Sequence, residues 1–265
     1  MKSLNDLMHL NGRVALITGG SGYVGTTAAH TLAELGANVV IADLSEEKCD
    51  SVAKEVSSAH SVSSLPLATD LSDPDAVAAM PKTVVDHFGS LDIIVHSAAY
   101  TANVPGWAAP FTEQSLEPWD RAMRVNTTSA FLLVQSALPH LEQSGHGSVL
   151  LISSIYGLVG PDMRLYEGTG MNNAAGYAAT KGGLLQLMRY LATVLAPKVR
   201  VNALSPGGIW RNQHPDFHER YKSRTPLGRM ATEEDLKGAI AYLSSDLSQY
   251  VTGHNLVVDG GWTAW

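Results

Sequence analysis

Tyr177 and Lys181 stand four residues apart in AAGYAATKGG, with small side chains between and after them. On an α-helix that spacing puts both on one face, a turn apart. A nearby ammonium favours a phenolate, so Tyr177, with an ordinary pKa of about 10, could take a proton from an alcohol or give one to a carbonyl. The same spacing also arises on any amphipathic helix with a solvated lysine, so the pair alone decides nothing. A hydroxyl beside the reacting oxygen would complete such a site. Ser154 directly follows the apolar run VLLIS, at the strand end where parallel-sheet enzymes place ligands. No Cys–His pair, His-Glu-x-x-His run or P-loop offers a competing chemistry.

Proton transfer of this kind needs a hydride carrier, and the first apolar run points to one. VALITGGSGYVG holds Gly20-x-Gly22-x-x-Gly25 directly after a strand pattern and at the start of a helical one. There the glycines give the turn its backbone freedom, and the helix N-terminus offers its N–H groups and dipole to a pyrophosphate. Asp43 follows at the end of the second apolar run. A carboxylate at that place accepts both hydroxyls of an adenosine ribose and repels a 2′-phosphate. The next basic residue after it is Lys48, so NAD is expected over NADP.

The elements that must position these groups are legible as an alternation. VALIT (14–18), NVVIA (38–42), LDIIVHS (91–97), GSVLLIS (147–153), VRVNAL (199–204) and NLVVD (255–259) read as strands, several apolar without alternation, as strands buried on both faces are. Helical spacing covers Thr26–Leu35, Ser45–Ser57, Asp73–Phe88, Arg121–Leu141 and Tyr177–Leu195. Ser45 and Ser72 are placed to cap helices, and Thr232 with Asp235 makes an approximate capping box before LKGAIAYLSS. The expected architecture is α/β, a doubly wound parallel sheet of Rossmann type in three α/β/α layers. Tyr100–Pro118 and the stretch 157–176 break the rhythm, and long loops in such domains are where binding concentrates.

Composition narrows the classes. The chain has 265 residues, 45% hydrophobic and 16% charged, enough for one large core, so residues 1–265 are expected to form a single domain. A net charge of −7 with no dense Lys/Arg run argues against nucleic acid as partner. The lone Cys49 allows no intrachain disulfide, which suits a reducing compartment. The opening MKSLNDLMHLNGR lacks a continuous apolar core and no apolar run reaches membrane-spanning length, so a cytoplasmic protein without membrane association is expected.

Together these residues resemble the short-chain dehydrogenase/reductase family, in its short single-domain branch and over essentially the whole chain. The resemblance rests on the glycine turn after Thr18, Asp43, TDL with Asp70, RVNTTSAF with Asn126, ISSIYG with Ser154, YAATK with Tyr177 and Lys181, SPGG with Pro206 and Gly207, and VTGHNLVVDGG. It implies catalytic roles for Asn126, Ser154, Tyr177 and Lys181. Asn126 would support the active-site backbone and a proton-relaying water, Ser154 would polarise the substrate oxygen, and Lys181 would bind ribose and depress the Tyr177 pKa. Dinucleotide contacts are implied for Gly19, Ser21, Gly22, Tyr23, Val24, Gly25, Asp43, Leu44, Asp70, Leu71, Ser97, Ala98, Lys181, Pro206, Gly207 and Ile209, with no metal. A homotetramer, or at least a dimer, built on the helices around Phe131–Leu141 and Leu184–Leu195 is also implied.

Three features depart from the family pattern. Gly22-Tyr23 in the glycine turn is spaced more like the longer, sugar-nucleotide-modifying branch; HSAA, with His96, stands where the family has Asn-Asn-Ala-Gly; and Ser154 and Tyr177 are farther apart than usual. His96 reads best as a hydrogen-bonded structural histidine rather than a group titrating near neutrality. The extra residues in 157–176 include Asp162, Arg164, Tyr166, Glu167, Asn172 and Asn173, able either to bind a polyol or sugar or only to brace a loop or a neighbouring subunit. Tyr166 is no rival to Tyr177, because the residue four later is Gly170. The insertion is also similar to reductases of bacterial surface-glycan and flagellin-sugar pathways.

Residues 207–229 are expected to form a lid carrying Trp210, Phe217 and Tyr221. Arg211, Arg220 and Arg224 there are either anion ligands or solvated, and His214 with His218 lacks the carboxylate or thiolate pattern of a metal site. The tryptophans of GGWTAW suit a pocket wall or a subunit contact. The leading expectation is an NAD(H)-dependent oxidoreductase of a secondary alcohol and ketone with a sugar- or polyol-like substrate. The alternatives are an NAD-retaining sugar-nucleotide epimerase or dehydratase and a non-catalytic dinucleotide sensor.

Overall fold

Every residue of Val14–Thr18 is buried, and this run forms β1 at the middle of a sheet. The computed structural model describes residues 1–100 and 104–265. β2 (Asn38–Asp43) lies on one side of β1, followed by β3 (Ser64–Ala68). On the other side lie β4 (Ile93–His96), β5 (Ser148–Ile152), β6 (Arg200–Pro206) and β7 (Asn255–Val258). The order is β3-β2-β1-β4-β5-β6-β7, with all neighbours parallel. This is the doubly wound α/β sheet expected, with one strand the sequence reading omitted. β3 is an edge strand containing Pro66, and proline has no N–H for the ladder, so its five residues lack an ordinary strand signature.

Alternate strand residues feed two apolar layers. Leu16, Val40 and Ile94 pack with α4 (Pro74–Phe88), α6 (Ser129–Ser144) and α7 (Ala175–Val194) on one face. Ile17, Val39, Ile41 and Val95 pack with α2 (Tyr23–Glu34), α3 (Glu46–His60) and α9 (Glu234–Ser244) on the other. The remaining helices are α1 (Leu4–Met8), α5 (Leu116–Ala122) and α8 (Pro215–Arg224). No helix among the described residues is long and apolar enough to cross a membrane.

Several local expectations are corrected. Ser45 caps α3, accepting from Lys48 N at 3.4 Å, but α4 is capped by Asp73 rather than Ser72. Asp73 accepts from two backbone N–H groups, while Ser72 donates from both N and Oγ to Asp70. Only half of the box at α9 forms: Asp235 accepts from Thr232 N, and no side chain caps the helix start. The helix expected over Arg121–Leu141 is broken by a wide, π-helical turn at Met123–Thr128, which contains Asn126. In the loop Tyr100–Pro118, residues 101–103 lie outside the described residues; Trp107 is buried against the Tyr100 ring.

Candidate active site

β1 and β4 are adjacent in the sheet, while the chain leaves them toward opposite edges, so their carboxyl ends open the crevice where such sheets bind ligands. A cleft of about 460 Å³ lies there. Gly19, Gly22, Tyr23, Val24, Gly25, Asp43, Leu44, Asp70, Leu71, Ser97 and Ala98 line it. Close backbone approach explains the glycines: a Cβ on Gly25 would overlap the Gly19 carbonyl, and Gly19 itself has φ +65° with the Ala98 backbone 2.7 Å from where a Cβ would stand. Gly22 caps α2, leaving the helix N-terminus bare toward the cleft.

Ser21 is placed differently from expectation. Its N and Oγ both donate to Asp43 Oδ2, at 3.1 and 2.7 Å, so it holds that carboxylate instead of lining the cleft. Leu44 N donates to Asp43 Oδ1 at 2.7 Å. Asp70 is fixed through Ser72, whose two donors hold its carboxyl below the usual range. The residues present therefore fit a dinucleotide, with a fixed carboxylate and a glycine-lined helix start in one cleft.

A second cleft, of about 310 Å³, shares Val24, Ser97, Ala99 and Arg211 with the first and contains Ser154, Tyr177, Lys181, Pro206, Gly207 and Ile209. Ser154 follows β5, and Tyr177 and Lys181 lie on α7. The two elements are stitched together: Ser153 Oγ donates to Lys181 O at 2.8 Å, and Lys181 Nζ donates to Ile152 O at 2.7 Å. Gln114 caps α7 from the preceding loop, its Oε1 accepting from Ala175 N at 2.9 Å, a contact with no local sequence signal.

Asn126 joins three segments. Its Oδ1 accepts from Tyr100 N at 2.6 Å, its Nδ2 donates to Thr180 Oγ1 at 2.9 Å, and its backbone oxygen accepts from His96 Nε2 at 3.1 Å. A carbonyl can only accept, so Nε2 carries the His96 proton and Nδ1 accepts from the Thr18 hydroxyl at 2.8 Å. Burial keeps this ring neutral, lowering its pKa to about 4. His96 is thus the hydrogen-bonded structural residue expected.

The electrostatics correct one expectation. Burial raises the Tyr177 pKa in the free protein, while the Ser154 hydroxyl and the Arg211 charge work against that rise. Lys181, with Nζ 5.7 Å from the Tyr177 ring centroid, is itself pushed down to about 8 by burial. The phenol is therefore not acidified before the cofactor's own positive charge is present.

Of the arginines in 207–229, only Arg211 lines the clefts. Arg224 pairs with Asp162, and Arg220 donates to the carbonyls of Glu167 at 2.5 Å and Leu165 at 3.4 Å. Both lie on α8, which the sequence reading did not resolve within 207–229, and both hold the insertion 157–176 against it. Within that insertion Tyr166 reaches the second cleft, whereas Asn172 and Asn173 serve loop hydrogen bonds. His214 accepts from Asp216 N, and His218 stacks on Trp210 with centroids 3.9 Å apart. Trp262 stacks on Tyr221 at 4.3 Å, placing it behind the pocket wall, and Trp265 Nε1 donates to Arg224 O.

A crossover crevice with a glycine turn, continuous with a Ser–Tyr–Lys cleft, defines a nicotinamide-dependent oxidoreductase. The chain belongs to the short-chain dehydrogenase/reductase family; the family model described as enoyl-(acyl carrier protein) reductase matches residues 21–263. It is 36% identical over 257 residues to cis-4-hydroxycyclohexanecarboxylate dehydrogenase of Sinomonas cyclohexanicum, covering 95% of this chain and 97% of that one. It is 35% identical over 259 residues to 2,5-dichloro-2,5-cyclohexadiene-1,4-diol dehydrogenase of Sphingobium indicum, covering 96% and 97%. A gluconate 5-dehydrogenase from Burkholderia cenocepacia, solved in complex with NADP and tartrate, superimposes with a TM-score of 0.88 at 30% identity, covering 99% of this chain and 100% of that one. The protein is accordingly an enzyme of the CH–OH/C=O couple.

Proposed function

We propose that the protein interconverts a secondary alcohol and a ketone with NAD(H), on a polar substrate of polyol, sugar or hydroxy-acid type. The observation that carries this reading is the continuity of the glycine-lined cleft with the cleft holding Ser154, Tyr177 and Lys181. Bound NAD supplies hydride acceptance and a positive charge at the nicotinamide. Beside it, Tyr177 takes the carbinol proton and Ser154 donates to the same oxygen. Lys181 holds the nicotinamide ribose, and its ammonium favours the Tyr177 phenolate. Asn126 holds the junction of α7 with the loop after β4, which keeps this geometry in place.

Asp43 supports NAD over NADP, because its carboxylate is fixed at the ribose position and would face a 2′-phosphate. Residues 207–229 act as the lid and 157–176 as its fixed flank within one domain, 1–265. The polar substrate reading draws on Tyr156, Tyr166 and Gln213 in the second cleft, and on relatives named for a ring diol and a ring hydroxy acid. Reading the insertion as similar to surface-glycan and flagellin-sugar reductases leads to the same polar class. Assembly of Ser154, Tyr177 and Lys181 in one cleft, with Asn126 buried and bonded to Thr180 of α7, favours this reading over a dinucleotide sensor or an NAD-retaining epimerase or dehydratase. Phe131 on α6 and Tyr190 and Val194 on α7 remain exposed, which supports a homotetramer, or a homodimer.

The test is initial-rate formation of NADH and NADPH across polyols, sugar acids and ring alcohols, with Tyr177→Phe as the blank. Turnover with NAD that disappears in the variant is expected. Silence across the panel while NADH still binds would refute the proposal.

A further inference from the structure

Two further phenols, Tyr156 and Tyr166, share the second cleft with Ser154 and Tyr177. Tyr156 follows the catalytic serine by two positions, whereas Tyr166 comes from the insertion. Their oxygens lie 2.9 Å apart in a hydrogen bond. Each phenol carries a single O–H proton, and this bond engages one of the two. The Asn173 side chain also stands beside the Tyr166 oxygen and lowers its pKa, the effect of an amide N–H donor, so among the described residues one phenol proton is left without a protein acceptor. Burial raises both pKa values, so both groups remain phenols in the physiological range.

The pair is held in place from behind. Tyr166 is only 9% exposed and packs on Phe217 of α8 with ring centroids 5.2 Å apart. Arg220, also on α8, donates to the backbone carbonyls of Leu165 and Glu167 on either side of it. A buried donor without an acceptor is costly, and here it faces a cleft rather than a packed core. Reversing the bridging hydrogen bond would move the available proton from one phenol to the other, so the pair can reach an acceptor at either position.

We infer that Tyr156 and Tyr166 donate to a second oxygen of the substrate, a hydroxyl or a carboxylate, and so select compounds with two oxygen functions over simple alcohols. This rests on the dehydrogenase reading above. The carbinol oxygen goes to Ser154 and Tyr177, and the second oxygen takes the remaining phenol proton.

Three ring probes that differ in the second oxygen test this: cyclohexanol, cyclohexane-1,4-diol and 4-hydroxycyclohexanecarboxylate. Their binding is measured by calorimetry on the NAD-saturated Tyr177→Phe protein, which forms the complex without turning it over. Their kcat/KM values are measured on the otherwise unaltered enzyme. The two-oxygen probes are expected to bind about three- to tenfold more tightly than cyclohexanol. Replacing both phenols, Tyr156→Phe with Tyr166→Phe, keeps both rings and should remove that advantage through KM while leaving cyclohexanol unchanged, whereas either substitution alone leaves one free phenol proton and should keep part of the advantage. An advantage for the diol alone or the acid alone identifies which oxygen is read. Equal binding of all three probes, binding of none, survival of the advantage when both phenols are replaced, or a loss shared by cyclohexanol would overturn the inference. A binding advantage that disappears in the phenylalanine variants, without turnover of any probe, would support the pair's role and refute the dehydrogenase reading.

Discussion

Arg211 lies over the face of Tyr23, with its guanidinium carbon 4.0 Å from the ring centroid. Tyr23 is the first residue of α2, directly after the glycine that caps it, and Arg211 belongs to the segment leaving β6. Glu233 braces the arginine from behind, accepting from Nη2 at 2.9 Å. The glycine turn contains no cation of its own, so Arg211 is placed to meet the negative charge of a pyrophosphate on the bare helix start. Arg211→Ala is expected to weaken NADH binding roughly ten- to hundredfold, read by fluorescence titration. Arg211→Lys should recover only part of it, since an ammonium does not reproduce the stacked, planar fork. Unchanged affinity in the alanine variant would show that the arginine serves only the lid.

The proposed role of Tyr177 as proton acceptor predicts the pH dependence. Its phenol is raised by burial, and the form that takes a proton from an alcohol is the phenolate, so little of it exists at neutral pH in the free protein. Alcohol oxidation should therefore rise with pH through the mildly alkaline range, and Tyr177→Phe should lower kcat by about 10²–10⁴-fold and abolish the rising limb. A variant that kept the same pH profile would move the proton acceptor elsewhere.

The buried lysine ought to cost stability. Lys181 is 2% exposed and its pKa falls to about 8 from 10.5, so between those values the unfolded chain binds more protons than the folded one. Stability from this group rises as pH climbs from 8 to 10.5, and below 8 its full cost is present, on the order of 3 kcal/mol. Lys181→Met should be inactive yet melt higher than the parent at pH 7, with the gap narrowing at pH 9.5. Loss of the bond to the Ile152 carbonyl works against the gain, so a lower melting point at both pH values would mean that this bond outweighs the buried charge.

The proposed preference for NAD makes Asp43 the residue to test. Ser21 and Leu44 hold its two oxygens in place, so the carboxylate cannot swing away from a 2′-phosphate. Asp43→Ala should lower kcat/KM for NAD and raise it for NADP, and Ser21→Ala should weaken the preference in the same direction by freeing the carboxylate. An unaltered ratio of the two cofactors in Asp43→Ala would place discrimination elsewhere in the cleft.

The central strands were legible because burial on both faces leaves an uninterrupted apolar run, as in Val14–Thr18, and the glycine turn because Gly19 and Gly25 admit no side chain. Edge strand β3 escaped because Pro66 and partial exposure remove both cues. The wide turn at Met123–Thr128 escaped because helical spacing runs through it on either side, and tertiary bonds from Tyr100, His96 and Thr180 single out Asn126 within it. Tyr166 could be ruled out as the catalytic tyrosine, but its bond to Tyr156 depends on how the insertion folds against α8, which no local pattern records.

His96 should make the protein sensitive to acid. Both of its ring nitrogens are engaged, one as donor to the Asn126 carbonyl and one as acceptor from Thr18, and a second proton would break the latter bond inside the sheet. Its pKa of about 4 lies below the ordinary 6.5, so between those values the unfolded chain takes up the proton and the folded chain does not. Stability is accordingly lost as pH falls from 6.5 toward 4, by an amount on the order of 3 kcal/mol from this group, and is independent of it above 6.5. An asparagine can donate to the same carbonyl and accept from the same hydroxyl without titrating. His96→Asn should therefore show a flatter urea midpoint between pH 6.5 and 4.5 than the parent, with little change at pH 7.5. Parallel pH dependence in the two proteins would mean that the acid lability resides in the surface carboxylate pairs instead.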